Sequence, residues 1–328
     1  MPRRAYVLVV LAITAASLIW VISGIDVDEA ARQLAAAGVA WLLPVQLLYL
    51  ASHLLRVWRL QVILGGKVGF LRLFSIVSAG YLAIHVVPFR MGELVRPYLL
   101  QERAGVPFAA GLAAVFLERL CDVAMLAIML LIVAFAFDLP PVVLGGVDVL
   151  RAAQRGAGVV LAGGMVGVVV AVYGGDALLS RVPRSPLTDA ARRFRDGLVV
   201  GSGRPGPLAL ALALSVGVWA ITIVAVQRSL AAFAGLPDDL GAALTTWSIT
   251  LAGMSVVPTP GFFGGFEAAC ALALELLGAE ASPARAFAVV LHLGQFAFTV
   301  VSGVSCLLVE GWSLRDLVSR SRAAAPTG

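Results

Sequence analysis

One group of residues that could bind a ligand lies in VVPFRMGELVRP, a stretch that follows strongly apolar sequence. Its backbone breaks and charges are Pro88, Arg90, Gly92, Glu93 and Arg96. Pro88 is expected to end the incoming helix, and Gly92 permits a tight turn. Glu93 and Arg96 are spaced to pair on the next helix, which leaves Arg90 as excess positive charge at a helix N-terminus. We therefore predict an anion site that suits a phosphate, with charges lying at headgroup level as the alternative.

A similar break occurs in VPTPGFFGGFEAA, where proline and glycine again open an apolar segment. The residues concerned are Pro258, Pro260, Gly261, Gly264 and Gly265. Glu267 follows them and is the only charge between Asp239 and Glu275. A lone carboxylate inside a membrane segment is costly, which favours a functional role. The alternative, compatible with that role, is that Glu267 caps a half-helix by binding free amides of the turn.

A further set of charges lies well inside an apolar segment, in LERLCD. Glu118 and Asp122 are four residues apart and share a helix face, with Arg119 beside them. At membrane depth such groups should face the protein interior and partly neutralise each other. We predict either a substrate site or a purely structural network. His292 occurs at comparable depth late in the chain, and a lone histidine there is more often a satisfied core residue than a proton relay.

Three polar residues near the end of an earlier apolar segment, His53, Arg56 and Arg59, line one helix face. They could contact lipid headgroups, although snorkelling to the interface is the favoured interpretation. Ser215 has no basic partner near it in sequence. The sequence has no P-loop, nucleophile elbow, dinucleotide-binding fingerprint or metal-ligand cluster. We therefore expect no enzymatic activity, no cofactor and no metal, and we interpret the 3 cysteines as small buried residues.

The composition is that of an integral membrane protein. The chain is 60% hydrophobic and 13% charged, with a mean hydropathy of +0.97. A soluble domain has about 45–50% apolar and roughly 25% charged residues. The net charge of +5 is typical of arginine-rich cytoplasmic loops, so nucleic acid is not an expected partner.

Several apolar segments are long enough to cross a bilayer, since a helical crossing takes about 20 residues. They are 5–25, 40–62, 106–137, 156–175, 205–233 and 284–309. Segment 5–25 is longer than the apolar core of a signal peptide, which has about 7–15 residues. We therefore predict that it is not cleaved and forms the first transmembrane helix. Two further apolar regions, 71–103 and 240–278, contain the two breaks.

The charge distribution predicts the sidedness of the chain. If 71–103 is a re-entrant hairpin entering from the cytoplasm, both termini and the arginine-rich segment 181–204 lie inside, and the acidic segments 26–30 and 237–240 lie outside. If the first part of that region crossed the membrane instead, the arginines of 181–204 would face outward. We therefore predict the hairpin, with both termini cytoplasmic.

The order of these elements repeats along the chain. We predict one all-α polytopic membrane domain over 1–328, built from two inverted-topology repeats at 1–140 and 150–312. Each repeat has three transmembrane helices and a Pro/Gly-broken re-entrant hairpin. This arrangement is typical of transporters with a site near the bilayer midplane.

A basic linker at 180–206 separates the predicted repeats. Its segment 187–200 can form an amphipathic helix with Arg192, Arg193 and Arg195 near the polar face. An interfacial helix facing anionic headgroups and an ordinary basic loop are equally supported. The tail at 313–328 is predicted to be cytoplasmic.

Five stretches, taken in order, resemble the lysylphosphatidylglycerol synthase transmembrane-region family, also called the flippase-like domain family. They are HLLRVWRLQVIL, VPFRMGELVRPYLL, ERLCDV, SVGVW and VPTPGFFGGFEAA. The family's first break usually has asparagine before the apolar–proline step, where this chain has His85 nearby. The resemblance implies a multi-pass protein of the bacterial inner membrane that moves modified phospholipids between leaflets. Some relatives carry a cytoplasmic aminoacyltransferase domain, and this sequence is expected to represent the translocation part alone.

The sequence leaves open several functions. A translocator would hold an anionic phospholipid or polyprenyl-linked lipid by its headgroup while the acyl chains stay in the bilayer. A membrane-embedded enzyme acting on a lipid phosphate would use the carboxylates as acid and base or to hold Mg²⁺, and the lack of an Asp-rich motif disfavours it. An accessory subunit would bind a lipid-modifying enzyme or a glycosyltransferase. Expected partners are membrane lipids, such an enzyme, and a second copy of the chain.

Overall fold

The protein is described by a computed structural model that covers most of the chain. The described residues are 19, 22, 23, 25, 26, 28, 31, 32, 35, 38–86, 93–137, 143–144, 147–181, 183, 185–202, 205–256 and 259–312. Pro88, Arg90, Gly92 and Pro258 lie outside them, as do most of the predicted span 5–25 and the tail 313–328.

The described part of the chain is almost entirely helical. Its helices are α1 Leu42–Ile63, α2 Phe70–Val86, α3 Val95–Ala104, α4 Phe108–Ala136, α5 Val149–Val169, α6 Gly175–Ser180, α7 Pro186–Ser202, α8 Pro205–Leu230, α9 Leu240–Val256, α10 Gly265–Leu276 and α11 Ala281–Val309. A π-helical turn, Val170–Gly174, joins α5 to α6, and a 3₁₀ turn, Pro260–Phe262, precedes α10. The two-residue strands β1 Val143–Leu144 and β2 Val147–Asp148 pair antiparallel. Helices dominate because their backbone groups are satisfied within the segment, as a lipid environment requires.

The all-α polytopic fold class is confirmed. Helices long and apolar enough to cross a membrane occupy Phe108–Ala136, Leu161–Ser180, Pro205–Leu230 and Ala281–Val309. The predicted span 40–62 is helix α1, with 22 residues, and its polar residues lower its hydropathy. The inverted relation between the two halves stays a prediction.

Both predicted breaks separate a pair of helices. The first lies between α2 and α3, and the second lies between α9 and α10. In each case the two helices pack directly on each other. A helix–break–helix arrangement is confirmed at the second place, where residues 259–264 are described. At the first place the residues of the break, 87–92, lie outside the described part of the chain, and entry from a particular membrane face stays a prediction at both.

Glycine permits the close approach of α3 to its neighbours. A Cβ atom on Gly80 of α2 would overlap the side chain of Arg96, and one on Gly111 of α4 would lie 3.2 Å from the Cα atom of Pro97. The short helix α3 therefore packs tightly against both α2 and α4, which fixes the position of Arg96.

The chain forms two compact units. The first comprises residues 1–52, 126–156 and 219–298, and the second comprises 53–125, 157–218 and 299–328. Each unit contains residues from both predicted repeats. In the second unit, a large apolar core includes Leu60, Leu73, Leu100 and Leu117. In the first, a smaller core centres on Val45, Tyr49 and Ala225.

The basic linker contains helix α7, as the amphipathic pattern predicts. The helix starts at a reciprocal cap, in which Ser185 N donates to Thr188 Oγ1 at 2.8 Å and Thr188 N donates to Ser185 Oγ at 3.2 Å. Leu198 is 1% exposed, and Gly197 lies against Ala110 of α4. One face of α7 therefore packs on protein. Its contact with lipid headgroups stays a prediction.

Candidate functional site

The second compact unit encloses a group of charged side chains that come from distant parts of the chain. Helices α1, α3, α4 and α8 supply its members, which are Arg59, Arg96, Glu118, Arg119, Asp122 and Ser215. We call this group the arginine–carboxylate cluster. Charged residues of these types are almost never fully buried unless they are paired, and here each has a charged or hydroxyl partner.

Arg59 joins two carboxylates and a hydroxyl. Its Nη1 donates to Asp122 Oδ1 at 2.8 Å and to Ser215 Oγ at 3.0 Å. Its Nη2 lies 3.6 Å from Glu118 Oε1. The Arg59 side chain is 0% exposed, so these contacts take place away from bulk water. In such surroundings charge-assisted hydrogen bonds are stronger than on a surface.

Arg96 binds the other oxygen of Glu118. Arg96 Nη2 lies 2.5 Å from Glu118 Oε2, and the guanidinium carbon lies 5.6 Å from the centroid of the Tyr81 ring. The aromatic face adds a cation–π contact to the ion pair. Glu118 is thus held between two arginines that belong to different helices.

Arg119 is the most exposed arginine of the cluster, with 36% of its side chain exposed. Its Nη2 lies 3.1 Å from Asp122 Oδ2, one helical turn away. Asp122 therefore lies between Arg59 and Arg119, as Glu118 lies between Arg59 and Arg96.

The cluster carries an excess of positive charge. Within salt-bridge distance, its three guanidinium groups face two carboxylates, which is an excess of one positive charge. Adding Arg56 and Glu93, which interact with the cluster at longer range, leaves that excess unchanged. The enclosed Nε atoms of Arg59, Arg96 and Arg119 have no hydrogen-bond partner in the described part of the chain. Leaving a buried donor unsatisfied costs about 1–3 kcal/mol, and more for a charged group. An anion that accepts such hydrogen bonds would satisfy the Nε donors and balance the excess positive charge.

Two further predicted residues lie within electrostatic reach of the cluster. Arg56 interacts with Asp122, and Glu93 interacts with Arg119. His53 lies nearby on α1, where its Nε2 is 2.8 Å from Ser78 Oγ and its ring packs edge-on against Phe74. Most predicted substrate-binding residues therefore belong to this one unit.

The second predicted carboxylate site lies in the other compact unit. Glu267 Oε2 accepts a hydrogen bond from Gly264 N at 2.7 Å, which caps the start of α10. Glu267 Oε1 lies 2.7 Å from His292 Nδ1. The capping role expected for Glu267 is therefore present, together with an ion-pair partner that the sequence did not indicate. Gly261 and Gly264 have positive φ angles of 60° and 83°, which explains glycine at these two positions.

Two local interpretations from the sequence are wrong. Snorkelling was favoured for Arg59, but its side chain is 0% exposed because α4 and α8 supply partners for it. The spacing of Glu93 and Arg96 permits a pair along one helix, whereas α3 begins at Val95 and Arg96 pairs with Glu118 of α4. A local spacing rule cannot anticipate either contact.

The sequence did not indicate the contacts of Ser215 with Arg59 and of Tyr81 with Arg96, or His292 as the partner of Glu267. SVGVW, which contains Ser215, was one of the five stretches that carry the family resemblance, and this was the available signal. His292 was singled out only as a residue of comparable depth. Each of these contacts joins residues far apart in sequence.

Residues 7–303 match the family described as the lysylphosphatidylglycerol synthase TM region. The chain belongs to this family. All members of the arginine–carboxylate cluster and the Glu267–His292 pair fall within the matched range. A relative, the glycosyltransferase AglD of Haloferax volcanii, is 28% identical over 97% of this chain and 57% of its own length. The chain thus spans little more than half of that relative. No solved structure matches the chain.

Proposed function

We propose that this protein moves an anionic lipid between the leaflets of the bacterial cytoplasmic membrane. The lipid would be a phospholipid or a polyprenyl-linked lipid whose headgroup contains a phosphate. Membership of the lysylphosphatidylglycerol synthase TM-region family supports a membrane protein that acts on lipids. The headgroup would enter the protein while the acyl chains remain in the bilayer.

The positive excess of the arginine–carboxylate cluster is the observation that carries this proposal. A charge inside a membrane segment is costly, and such residues commonly mark a substrate path. A structural network would be expected to balance its charges, whereas here the arginines at salt-bridge distance exceed their carboxylate partners by one charge. Arg56 and Glu93 together do not change that excess. A phosphate oxygen would accept hydrogen bonds from the enclosed Nε donors and cancel that charge.

The carboxylates have a role in this proposal that needs no chemical conversion of the lipid. Glu118 and Asp122 each lie between two arginines and keep the guanidinium groups apart and oriented. Since a carboxylate repels phosphate, they also weaken binding enough for the headgroup to leave. The protein would therefore be a translocator and not an enzyme.

A proteoliposome assay tests the proposal. Purified protein is reconstituted with a fluorescent anionic phospholipid, and leaflet exchange is followed by quenching the outer leaflet. Arg119→Gln should slow exchange about tenfold or more, because hydrogen bonds to charged groups contribute about 1.5–3 kcal/mol each. This substitution affects the most exposed arginine of the cluster, so the fold should tolerate it.

Arg72→Gln is the matched control. Arg72 lies on α2, is exposed, and donates to the backbone oxygen of Arg103 at 2.8 Å. Its removal changes the net charge by the same amount outside the cluster, so exchange should stay near the wild-type rate. Equal rates for the two variants, or no exchange by the wild type with any anionic lipid, would refute the proposal.

A second candidate function is that of an accessory subunit for a glycosyltransferase. The resemblance to AglD favours it, because this chain corresponds to little more than half of a protein named as a glycosyltransferase. The same liposomes distinguish the two candidates. An accessory subunit would show no leaflet exchange alone and would copurify with a glycosyltransferase whose activity falls when this protein is removed.

A further inference from the structure

The Glu267–His292 pair has no part in the lipid-binding proposal, although it is deeply buried. The two side chains are each 3% exposed, and Glu267 Oε1 lies 2.7 Å from His292 Nδ1. Both residues belong to the first compact unit. A carboxylate and an imidazole at this distance share a proton, and enclosure favours the form of the pair in which charges cancel.

Aromatic rings surround the imidazole. Phe266 is stacked on His292 with a centroid distance of 4.4 Å and an interplanar angle of 15°. The centroid of the Phe263 ring lies 4.7 Å from the centroid of the His292 ring. Both phenyl rings help to enclose the imidazole, and His292 is 2% exposed.

The neutral pair holds one proton more than a carboxylate beside a neutral imidazole. Losing that proton would leave an uncompensated negative charge in an apolar region, and gaining another would leave a positive one. Either change requires water to reach the pair, because an isolated buried charge is very costly. Proton exchange at Glu267 and His292 is therefore tied to a local opening of the structure.

The turn before α10 is suited to provide that opening. Phe262 has a φ angle of 64°, a left-handed conformation that is strained for a residue with a side chain, and Gly261 and Gly264 on either side are also left-handed. The turn touches the pair twice, through the Phe263 ring and through the Gly264 amide that binds Glu267. A change in the charge of the pair would act directly on this strained segment.

Other ionisable groups near the pair do not offer the same change of charge. Helix α9 contains no ionisable residue. Helices α1 and α10 supply Tyr49 and Cys270, both buried. Glu275 of α10 and Arg285 of α11 pair with each other at 3.4 Å and are 26% and 14% exposed. They compensate each other and are partly open to solvent.

We propose that the Glu267–His292 pair is a proton-binding site that couples lipid movement to a proton gradient. This inference rests on the proposed function and adds its energy source. Protonation of the pair favours the closed turn, and loss of the proton on the side of lower proton concentration favours the open one. The pair would thus load a proton from one side of the membrane and release it to the other during each lipid transfer.

Two variants and a control test the inference in proteoliposomes with and without an imposed pH gradient. Glu267→Gln keeps an oxygen to accept the Gly264 amide but removes the ionisable group, and His292→Gln removes the imidazole. Glu275→Gln changes an acid on the same helix, in a partly exposed pair. Size-exclusion chromatography confirms that each variant is folded.

For the wild type, the gradient should shift the final distribution of labelled phospholipid between leaflets by at least twofold, and a protonophore should abolish the shift. Glu275→Gln should behave like the wild type. Glu267→Gln and His292→Gln should still exchange lipid without a gradient but should show no shift. Gradient-independent distribution in the wild type, or a retained shift in Glu267→Gln, overturns the inference while leaving the proposed function intact.

A second measurement does not depend on lipid transport. Amide hydrogen exchange at residues 261–264 should increase with pH in the wild type by more than the intrinsic chemistry of exchange, because deprotonation opens the turn. The excess should persist in Glu275→Gln and disappear in Glu267→Gln. No excess in the wild type would refute the proton site even if lipid exchange is observed. Complete absence of lipid exchange would refute the proposed function instead.

Discussion

Arg96 Nη2 lies 2.5 Å from Glu118 Oε2 with both side chains 1% exposed, although the two residues come from different helices. Glu118 also faces Arg59, so its carboxylate is shared between two guanidinium groups. Burial makes such a pair sensitive to the loss of one partner, because the remaining charge cannot be solvated.

We expect Arg96→Met to lower the free energy of unfolding by about 3–5 kcal/mol, because it leaves Glu118 with only the longer contact to Arg59. Arg96→Met combined with Glu118→Leu should recover part of that loss. The double-mutant cycle is measured by denaturant unfolding in mixed micelles. Strictly additive effects would show that the two side chains do not interact.

Ser215 offers a more selective test of the cluster, since Ser229 on the same helix is a matched control. Both hydroxyls are 0% exposed and each donates to the carbonyl four residues earlier at 2.8 Å. Only Ser215 also accepts a hydrogen bond from Arg59. Ser215→Ala should therefore destabilise the protein by about 1–3 kcal/mol more than Ser229→Ala. Equal losses of unfolding free energy would mean that the Arg59 contact adds nothing.

The sequence predicts only those parts of the arginine–carboxylate cluster that depend on residues close together in the chain. The cost of charge in a membrane segment identified Glu118, Arg119 and Asp122 without any structure. Arg119 and Asp122, which are three residues apart on the same helix, also form an ion pair in the structure. The pairing of these residues with Arg59 and Arg96 was not predicted, because Arg59 is 63 residues away from Asp122 and Arg96 is 22 residues away from Glu118. Only helix packing brings them together.

The two helix breaks were predictable for a different reason. Proline and glycine restrict or free the backbone directly. Their positions in the sequence are therefore enough to predict an interruption before α3 and another before α10. Glu267 was also placed correctly as a cap, since an acidic residue just after a glycine turn can bind free amides. Its pairing with His292 depends on how α11 packs against α10, which the local pattern does not contain.

Gly80 is predicted to be intolerant of a side chain although it lies within a helix. Alanine would gain up to about 1 kcal/mol of helix propensity, but its Cβ atom would overlap Cγ and Cδ of Arg96. Overpacking costs about 1–3 kcal/mol, so Gly80→Ala should be destabilising and should weaken binding of anionic phospholipid. Gly163→Ala, in α5 with no atom within 4 Å of the new Cβ, should be neutral or stabilising. A stabilising Gly80→Ala would show that α3 is free to move.

Arg195 is expected to hold the π-helical turn between α5 and α6. Its Nε and Nη2 donate to the carbonyl oxygens of Ala171 and Val172 at 3.4 and 3.3 Å, and Nη2 lies 2.7 Å from Asp176 Oδ2. Since such a turn loosens the regular ladder of backbone hydrogen bonds, Arg195→Met should increase amide exchange at residues 171–176. Arg193→Met, an exposed arginine of the same helix, is the control, and equal exchange in both variants would contradict this role.

The sidedness of the chain can be tested at two exposed positions separated by helix α8. Arg193 belongs to the arginine-rich linker, and Asp238 belongs to the acidic connection that follows α8. The positive-inside rule predicts the linker in the cytoplasm. Because α8 is long and apolar enough to cross the membrane once, Asp238 should then face outward.

The native cysteines are buried and can be replaced by alanine, after which a cysteine is introduced at either position. A membrane-impermeant maleimide should label Asp238→Cys in intact cells and Arg193→Cys only after the membrane is opened. The reverse result would invert the predicted orientation, and labelling of both positions from one side would mean that α8 does not span the bilayer.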